Sequence, residues 1–132
     1  MSNEPRITDS LESPHKGKTG RQRIWNAFVY SLEGLRAAFR HEDAFRQEVL
    51  LAVILIPAVF FTPASGMGKA LMIAAVLLVL IVELLNSAVE AAVDRISLEN
   101  HKLAKRAKDI GSAAVMLSLA SAASVWLLVI LQ

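Results

Sequence analysis

The sequence has 132 residues, of which 55% are hydrophobic, and its formal net charge is +2. It contains no cysteine, which excludes disulfide frameworks, thiolate zinc sites and cysteine nucleophiles. Charged residues are segregated: positions 49–93 hold only Lys69, Glu83 and Glu90, and positions 110–132 hold none. Long apolar runs between charged segments exclude an ordinary water-soluble globule and predict an all-α integral membrane protein.

At the N-terminus, residues 1–22 are rich in proline, glycine, serine and charge, with almost no apolar side chains. Such a segment cannot bury enough apolar surface to offset the entropy lost on ordering, so we expect a disordered polar and basic tail. It has no apolar stretch of the kind found in a signal peptide. We expect the remaining residues, 23–132, to form one membrane domain.

An amphipathic helix is predicted over about residues 23–42. Its large apolar side chains recur at spacings of three and four, and they are Trp25, Phe28, Leu32, Leu35 and Phe39. The opposite face carries charged side chains, among them Glu33, Arg36 and Arg40. A basic amphipathic helix directly before a hydrophobic segment is typical of a helix lying in the membrane interface. The alternative is a helix packed on a soluble core, but the sequence provides no such core.

Three apolar segments follow, and we expect membrane-spanning helices over about residues 44–62, 69–93 and 110–131. Eight of the 14 Lys and Arg residues precede Val49, one lies between the first two spans, and five lie within positions 94–109. Basic residues favour the cytoplasmic side of a membrane. The N-terminus and the 94–109 loop should therefore be cytoplasmic, and the C-terminus should lie outside.

The third apolar segment is rich in glycine, alanine and serine, which allow helices to approach one another closely in lipid. Trp126, near its outer end, is interpreted as an interfacial anchor. A chain of this length cannot enclose a cavity in the membrane by itself, so a site within the membrane should need several subunits. In such an oligomer, groups from neighbouring chains would share one site.

Four polar residues of the second span share one face of its helix. Glu83, Asn86, Glu90 and Asp94 fall within about 80° of one another at about 100° per residue. Ionisable residues inside a bilayer are costly and normally face protein or water, which makes these residues candidates for function. The alternative is a hydrogen-bonded packing seam, but such a seam does not require two carboxylates.

The depth of the carboxylates favours chemistry at one membrane surface. Counted from Leu71, Glu83 lies roughly 18 Å into a hydrocarbon core about 30 Å thick, and Glu90 lies near its inner boundary. Only serine and threonine supply polar side chains to the outer half. Carboxylates together with Lys and Arg at the cytoplasmic ends are the groups that a magnesium–polyphosphate site requires. The sequence therefore favours a reaction at the cytoplasmic surface over transport across the membrane.

Four motifs occur in the order found in one known family. They are Gly34-Leu-Arg-Ala-Ala-Phe39, Ala44-Phe-Arg-Gln-Glu48, Glu83-Leu-Leu-Asn-Ser-Ala-Val-Glu-Ala-Ala-Val-Asp-Arg95 and Arg106-Ala-Lys-Asp-Ile-Gly-Ser112. Over roughly residues 23–131, the sequence resembles the prokaryotic diacylglycerol kinase family. The resemblance implies a small, three-span, homotrimeric membrane kinase of the bacterial inner membrane that lacks any soluble-kinase fold.

Carried over by position, the resemblance makes Glu83 the general base that takes the proton of a lipid hydroxyl. Glu42 and Glu90 would hold Mg²⁺ against the phosphates of ATP, and Asn86 would orient the base or the transferred phosphoryl group. The implied nucleotide contacts are Arg23, Tyr30, Glu42, Glu90, Glu99, Asn100, His101, Lys108 and Asp109. The implied contacts with the lipid substrate are Arg23, Ser31, Arg36, Phe39, Ala44, Glu48, Glu83 and Ser112.

The implied reaction is the MgATP-dependent phosphorylation of diacylglycerol to phosphatidic acid at the cytoplasmic face, as part of phospholipid metabolism and recycling. An undecaprenol kinase would use the same machinery on a polyprenyl alcohol, although residues 44–48 resemble the diacylglycerol type. Two alternatives come from other classes: a small proton-coupled oligomeric transporter that uses Glu83 and Glu90, and a non-enzymatic membrane adaptor. The expected partners are the lipid, ATP and further copies of the chain. No nucleic acid is expected, because the basic residues flank apolar segments.

Overall fold

A computed structural model describes residues 19–96 and 101–132. In these ranges the chain forms four α-helices, which are α1 (Gly20–His41), α2 (Asp43–Val59), α3 (Gly66–Ile96) and α4 (Lys102–Ile130). The prediction of an all-α fold is confirmed for the described residues. The chain divides into two compact units, one ending at Arg36 within α1 and the other formed by Ala37–Gln132.

α1 begins at Gly20, inside the segment for which the sequence predicted disorder. The amides of Gln22 and Arg23 donate to the carbonyl of Thr19 at 3.0 and 3.1 Å, which closes the first turn. Arginine and glutamine are good helix formers, so the helix extends back to this point. The rest of the predicted tail, residues 1–18, lies outside the described residues.

The apolar face predicted for α1 is exposed within its own unit. Trp25 and Phe28 are both more than half exposed, and their ring centroids lie 6.0 Å apart. Leu32 and Leu35 are exposed as well. A helix that leaves such a row of side chains uncovered has the amphipathic form of an interfacial helix, and its position in the membrane interface stays a prediction.

Arg46 holds the corner between α1 and α2. Its Nη1 donates to the carbonyls of Phe39 and Arg40 at 3.0 and 2.9 Å, and its Nη2 forms an ion pair with Asp43. Carbonyls in the last turn of a helix need partners from outside the helix, and the guanidinium supplies them. Glu42 stands at the N-cap position of α2, but its side chain makes no capping hydrogen bond. The Glu42 carboxylate is therefore not used to cap the beginning of α2.

α2 ends at Val59, three residues before the predicted end of the first span. The amides of Phe60 and Phe61 donate to carbonyls three residues earlier, and the Thr62 hydroxyl donates to the Val59 carbonyl at 2.7 Å. These bonds tighten the chain into a turn that is followed at once by Pro63. The helix has 17 residues, fewer than the about 20 that a span perpendicular to the membrane needs.

α3 and α4 have 31 and 29 residues, and each is long and apolar enough to cross a membrane. Two of the three predicted spans therefore have the required length within single helices of the described chain. A span at α2 would have to include part of the turn that follows it.

The described parts of the predicted 94–109 loop are helical, which corrects the expectation from the sequence. α3 extends into this segment, and α4 begins within it. The imidazole Nδ1 of His101 caps α4 by accepting the amide of Leu103 at 3.3 Å. One turn further on, Lys105 pairs with Asp109 at 2.7 Å. Charge marks the end of an apolar run, but lysine, arginine and alanine sustain a helix as well as leucine does.

α3 and α4 pack side by side in antiparallel directions. Near the start of α3, a Cβ built on Gly68 would lie 2.9 Å from Cγ1 of Val129, so the two helices approach closely there. The indole Nε1 of Trp126 donates to the carbonyl of Met72 at 3.1 Å. Trp126 therefore joins the two helices, a contact that its interpretation as an interfacial anchor did not predict.

The core lies along α3, which packs against both α2 and α4. The buried residues of α3 are Gly68, Met72, Ala75, Val76, Val79 and Glu83. α2 contributes Phe45, Ala52 and Val59, whereas most large apolar side chains elsewhere in the described chain are exposed. Exposed apolar surface of this extent marks contact with lipid or with other protein chains.

Candidate active site

Glu83 continues the buried seam of α3 rather than interrupting it. Met72 and Val79 precede it at helical spacing on the same face, and Glu83 itself is only 5% exposed. Asn86 and Glu90 follow on that face and are partly buried. The seam thus changes from apolar to polar at Glu83 without leaving the region where the helices pack.

Four carboxylates gather around this change in polarity. The charge of Glu83 interacts with those of Glu90 and Glu42. Glu48, in the second turn of α2, interacts in turn with Glu83. Like charges at close range repel one another, so such a group favours cations or protons as companions. The structure therefore brings together candidate residues that the sequence placed on two separate elements.

Asn86 lies at the contact between α3 and α4. Its Nδ2 donates to Oε1 of Glu90 at 3.3 Å. Its Oδ1 and the Oε2 of Glu48 are both buried, and neither has a hydrogen-bond donor among the described residues. Buried polar atoms are seldom left without a partner in native proteins, and those that are mark a strained or functional position.

The C-terminal end of α3 and the N-terminal end of α4 carry the remaining charged candidates. Nζ of Lys108 lies 2.5 Å from Oδ1 of Asp94 and so joins α4 to α3. Asp109 is paired with Lys105 on its own helix. All four side chains are exposed to solvent, where an ion pair exchanges readily for another partner. Lys108 is thus available to a phosphate group that approaches this end of the helices.

A cavity of about 450 Å³ lies between the same helix ends. Its lining consists of Val93, Ile96, His101, Leu103, Ala104 and Ala107. The volume falls within the range of roughly 300–1,000 Å³ of small-molecule sites. Apolar walls with one imidazole suit a flat aromatic ring. Of the implied nucleotide contacts, His101 lines the cavity, whereas Glu99 and Asn100 lie outside the described residues.

The predicted lipid contacts are divided between the two units. Phe39 and Ala44 are exposed beside the corner of α1 and α2, Glu48 is partly buried, and Ser112 is exposed on α4. The predicted lipid contacts on the other unit are Arg23, Ser31 and Arg36, all on α1 and all exposed, as is the predicted nucleotide contact Tyr30. The hydroxyl of Ser31 donates to the Ala27 carbonyl one turn earlier at 2.8 Å.

No three His, Cys, Asp or Glu side chains within the described ranges are arranged to hold a metal ion. Mg²⁺ is usually bound by one or two carboxylates together with substrate phosphates, and not by a cage of protein ligands. Glu42, whose side chain does not cap its helix, and Glu90, beside Asn86, match that pattern. The residues therefore fit an ion that is held largely by ATP, and the two ligands stay a prediction.

A family described as Prokaryotic diacylglycerol kinase matches residues 29–130. The chain belongs to this family. It is 58% identical to the Diacylglycerol kinase of Pseudomonas aeruginosa, over 90% of this chain and 97% of the relative. It is 52% identical to the Diacylglycerol kinase of Haemophilus influenzae, over 82% of this chain and 92% of the relative. It is 46% identical to the Diacylglycerol kinase of Escherichia coli K12, over 82% of this chain and 88% of the relative.

Membership confirms the resemblance seen in the motifs and the expectation of an enzyme, namely a kinase. The matched range contains every carboxylate of the cluster, together with Asn86 and Lys108. Arg23 lies outside that range. The individual roles given to site residues are a separate matter, and they stay predictions.

Sequence reasoning missed the apolar lining of the cavity. Val93, Ile96 and Leu103 belong to no chemical motif: Val93 ends the predicted second span, and Ile96 and Leu103 fall in the predicted 94–109 loop. The usable signal was helical spacing: Val93 and Ile96 are three residues apart, and Leu103, Ala104 and Ala107 recur at spacings of three and four.

Proposed function

We propose that this chain transfers the γ-phosphoryl group of MgATP to diacylglycerol, forming phosphatidic acid at the cytoplasmic face of the inner membrane. The observation that carries this proposal is the buried Glu83, at which the seam of α3 changes from apolar to polar. The names of the relatives support a lipid alcohol as the acceptor. The enzyme would then serve phospholipid metabolism by returning diacylglycerol to phosphatidic acid.

The depth of Glu83 supports this acceptor. Asn86 faces Gly111 of α4, which stands one residue inside the uncharged segment that begins at Ile110. Glu83 is three residues earlier on α3 and thus about 4.5 Å deeper, whereas Glu90 is four residues later and about 6 Å shallower. The hydroxyl of a diacylglycerol lies at this boundary between hydrocarbon and headgroups. The base and its substrate oxygen would therefore meet at the same depth.

The reaction needs little more than positioning and charge neutralisation. Glu83 accepts the proton of the lipid hydroxyl while that oxygen bonds to the γ-phosphorus, and the bond to the bridging oxygen of ADP breaks. Asn86 orients the base or the phosphoryl group. Mg²⁺ bound with ATP neutralises phosphate charge, and Glu42 and Glu90 are the residues that would hold it.

The cytoplasmic end of α4 supports a nucleotide site. Ala107 lines the cavity beside His101, and Lys108 follows it directly in the chain. An ATP molecule whose adenine ring is seated against the apolar walls would have its phosphates near the ammonium group of Lys108. Lys108 would then exchange its exposed pairing with Asp94 for a phosphate oxygen, and Asp109 would contribute from the next position.

We further propose a homotrimer with three spans per chain, a cytoplasmic N-terminus and an outer C-terminus. Of the most apolar window of α4, only 6% is buried within the chain, against 33% for α3. Small side chains on such a helix allow a neighbouring helix to approach closely. A neighbour seated there would also shield the carboxylates from lipid, so that each site is shared between subunits.

The decisive experiment is transfer of labelled phosphate from ATP by the purified protein in mixed micelles. Diacylglycerol and undecaprenol are offered separately, each with and without Mg²⁺. We expect labelled phosphatidic acid, formed only when Mg²⁺ is present. Preferential labelling of undecaprenol would identify the polyprenol kinase instead. Proton flux across vesicles without transfer to either lipid would favour the transporter.

A further inference from the structure

At the site, α3 and α4 approach each other closely where Asn86 meets Gly111. A Cβ built on Gly111 would overlap Oδ1 of Asn86 and would lie 3.3 Å from its Cγ. The carboxamide of Asn86 therefore occupies the volume that any side chain at position 111 would need. Gly111 lies inside α4, so the glycine is required by space and not by an unusual backbone conformation.

This contact fixes the direction of the carboxamide. Oδ1 of Asn86 is buried against α4, with no N–H or O–H donor among the described residues. The Cα hydrogen of Gly111 that a side chain would replace points at this oxygen, a weak contact that recurs between packed helices. Nδ2 is thereby directed along α3 towards Oε1 of Glu90, 3.3 Å away. The reverse orientation would set the amide oxygen against a carboxylate, and two acceptors repel each other.

We propose that Gly111 is a positioning residue, whose missing side chain seats the Asn86 carboxamide and, through it, holds the Glu90 carboxylate in place. The importance of this seat for turnover rests on the proposed function, because that function assigns Asn86 and Glu90 to the reaction. The seat itself is a property of the two helices, so it can be measured whether or not the chain phosphorylates a lipid.

Gly68 provides a matched comparison on the same pair of helices. A Cβ there would meet Cγ1 of Val129 at 2.9 Å, which is the end of a side chain that can rotate away. Gly66 has nothing within 4 Å of a built Cβ. Gly68→Ala therefore tests the effect of close packing between the two helices away from Asn86. Gly66→Ala tests the effect of replacing a glycine by alanine where no steric contact results.

The first experiment compares the three alanine variants by turnover and by Mg²⁺ dependence. We expect Gly111→Ala to lower kcat on the order of 100-fold, because misplacing a catalytic group by about 1 Å costs about this factor. The Mg²⁺ concentration at half-maximal rate should rise as well. Gly68→Ala should lower thermal stability while leaving the Mg²⁺ dependence unchanged. Gly66→Ala should behave as wild type. A Gly111→Ala enzyme with wild-type turnover and Mg²⁺ dependence would overturn the proposal.

The second experiment observes the seat directly. The chain has four asparagines, so ¹⁵N-asparagine labelling gives few side-chain amide signals, and Asn86→Asp identifies the one sought. That signal should shift in Gly111→Ala and stay in place in Gly68→Ala. An unchanged Asn86 signal in folded Gly111→Ala would refute the seat. A shifted signal in a protein without kinase activity would support the seat and refute the proposed function.

A double-mutant cycle covers the case in which Gly111→Ala folds poorly. Asn86→Ser removes the carboxamide, so Gly111→Ala should cost much less thermal stability in that background than in wild type. Equal losses of stability in both backgrounds would mean that the added methyl group clashes elsewhere, and the proposal would be wrong.

Discussion

Glu83 is an ionisable residue on the buried face of α3, and the residues buried on that face in the preceding turns are apolar. A charged residue in a membrane helix carries an insertion cost that reaches about 2.5–3.5 kcal/mol at the helix centre and is smaller near the boundary where Glu83 lies. Glu90 and Glu42 add repulsion to this burial. An apolar residue would pack in the same seam without either cost, so the carboxylate is best explained by chemistry that only an acid can perform.

Replacement of Glu83 by glutamine should separate catalysis from packing. Glu83→Gln keeps the size and polarity of the side chain but cannot accept a proton, so turnover should fall by about 10²–10⁴. Thermal stability should stay the same or rise, because the repulsion from Glu90 and Glu42 is removed. Phosphate transfer and thermal unfolding in the same detergent measure the two effects. Near-normal turnover would show that Glu83 is not the base.

The two predicted metal ligands should behave differently from the base. Glu42→Gln and Glu90→Gln each remove one carboxylate from the ion, so the Mg²⁺ concentration at half-maximal rate should rise on the order of tenfold. Glu33→Gln, an exposed change on α1, is the control and should leave that concentration unchanged. Titration of activity with Mg²⁺ at saturating ATP makes the comparison. Unaltered Mg²⁺ dependence in both variants would remove these residues from the metal site.

For single residues, helical periodicity predicted the face that Glu83, Asn86 and Glu90 share, because the period of about 3.6 residues is a property of the helix itself and needs no knowledge of its neighbours. The approach of Glu42 and Glu48 to that face could not be predicted in the same way. It depends on the corner that Arg46 makes with the end of α1, and on the seam along which α2 packs. Contacts between elements follow from side-chain shape, which spacing does not encode.

Among the elements, α3 and α4 continue as helices beyond their apolar segments. The expected loop between them carried eight charged residues within positions 94–109, and charge was interpreted as the end of helical structure. Leaving the hydrocarbon ends the need for apolar side chains, but it does not break backbone hydrogen bonds. The end of each apolar run was therefore misread as the end of a helix. Lys108 and Asp109 are consequently held on a helix.

Trp126 should contribute to the pairing of α3 with α4. Trp126→Phe keeps an aromatic ring but removes the donor to the Met72 carbonyl, which should destabilise the folded protein by about 0.6 kcal/mol, the average for such bonds between membrane helices. Trp25→Phe on α1 is the control, because its ring packs on Phe28 within the other unit. Equilibrium unfolding in mixed micelles compares the two. A larger loss from Trp25→Phe than from Trp126→Phe would contradict the assignment.

For the whole molecule, the distribution of basic residues predicts the orientation in the membrane. Reporter fusions after Gly66 and after Gln132 should be active outside the cytoplasm, and a fusion within positions 100–104 should be active inside. The last fusion point lies beside the cavity and Lys108, so an inside location would put the proposed nucleotide site where ATP is found. A C-terminal fusion that reports from the cytoplasm would exclude an odd number of spans.

The sparse burial of α4 has a thermodynamic consequence. In water, a helix with so much apolar surface would be driven to its neighbours by the hydrophobic effect, but acyl chains solvate that surface as well as protein does. In the proposed trimer, the contacts of α4 with other chains would be governed by mass action, so they would depend on the mole fraction of protein in the bilayer. Diluting the enzyme with lipid at constant total protein should lower its melting temperature and its specific activity together, and reconcentration should restore both.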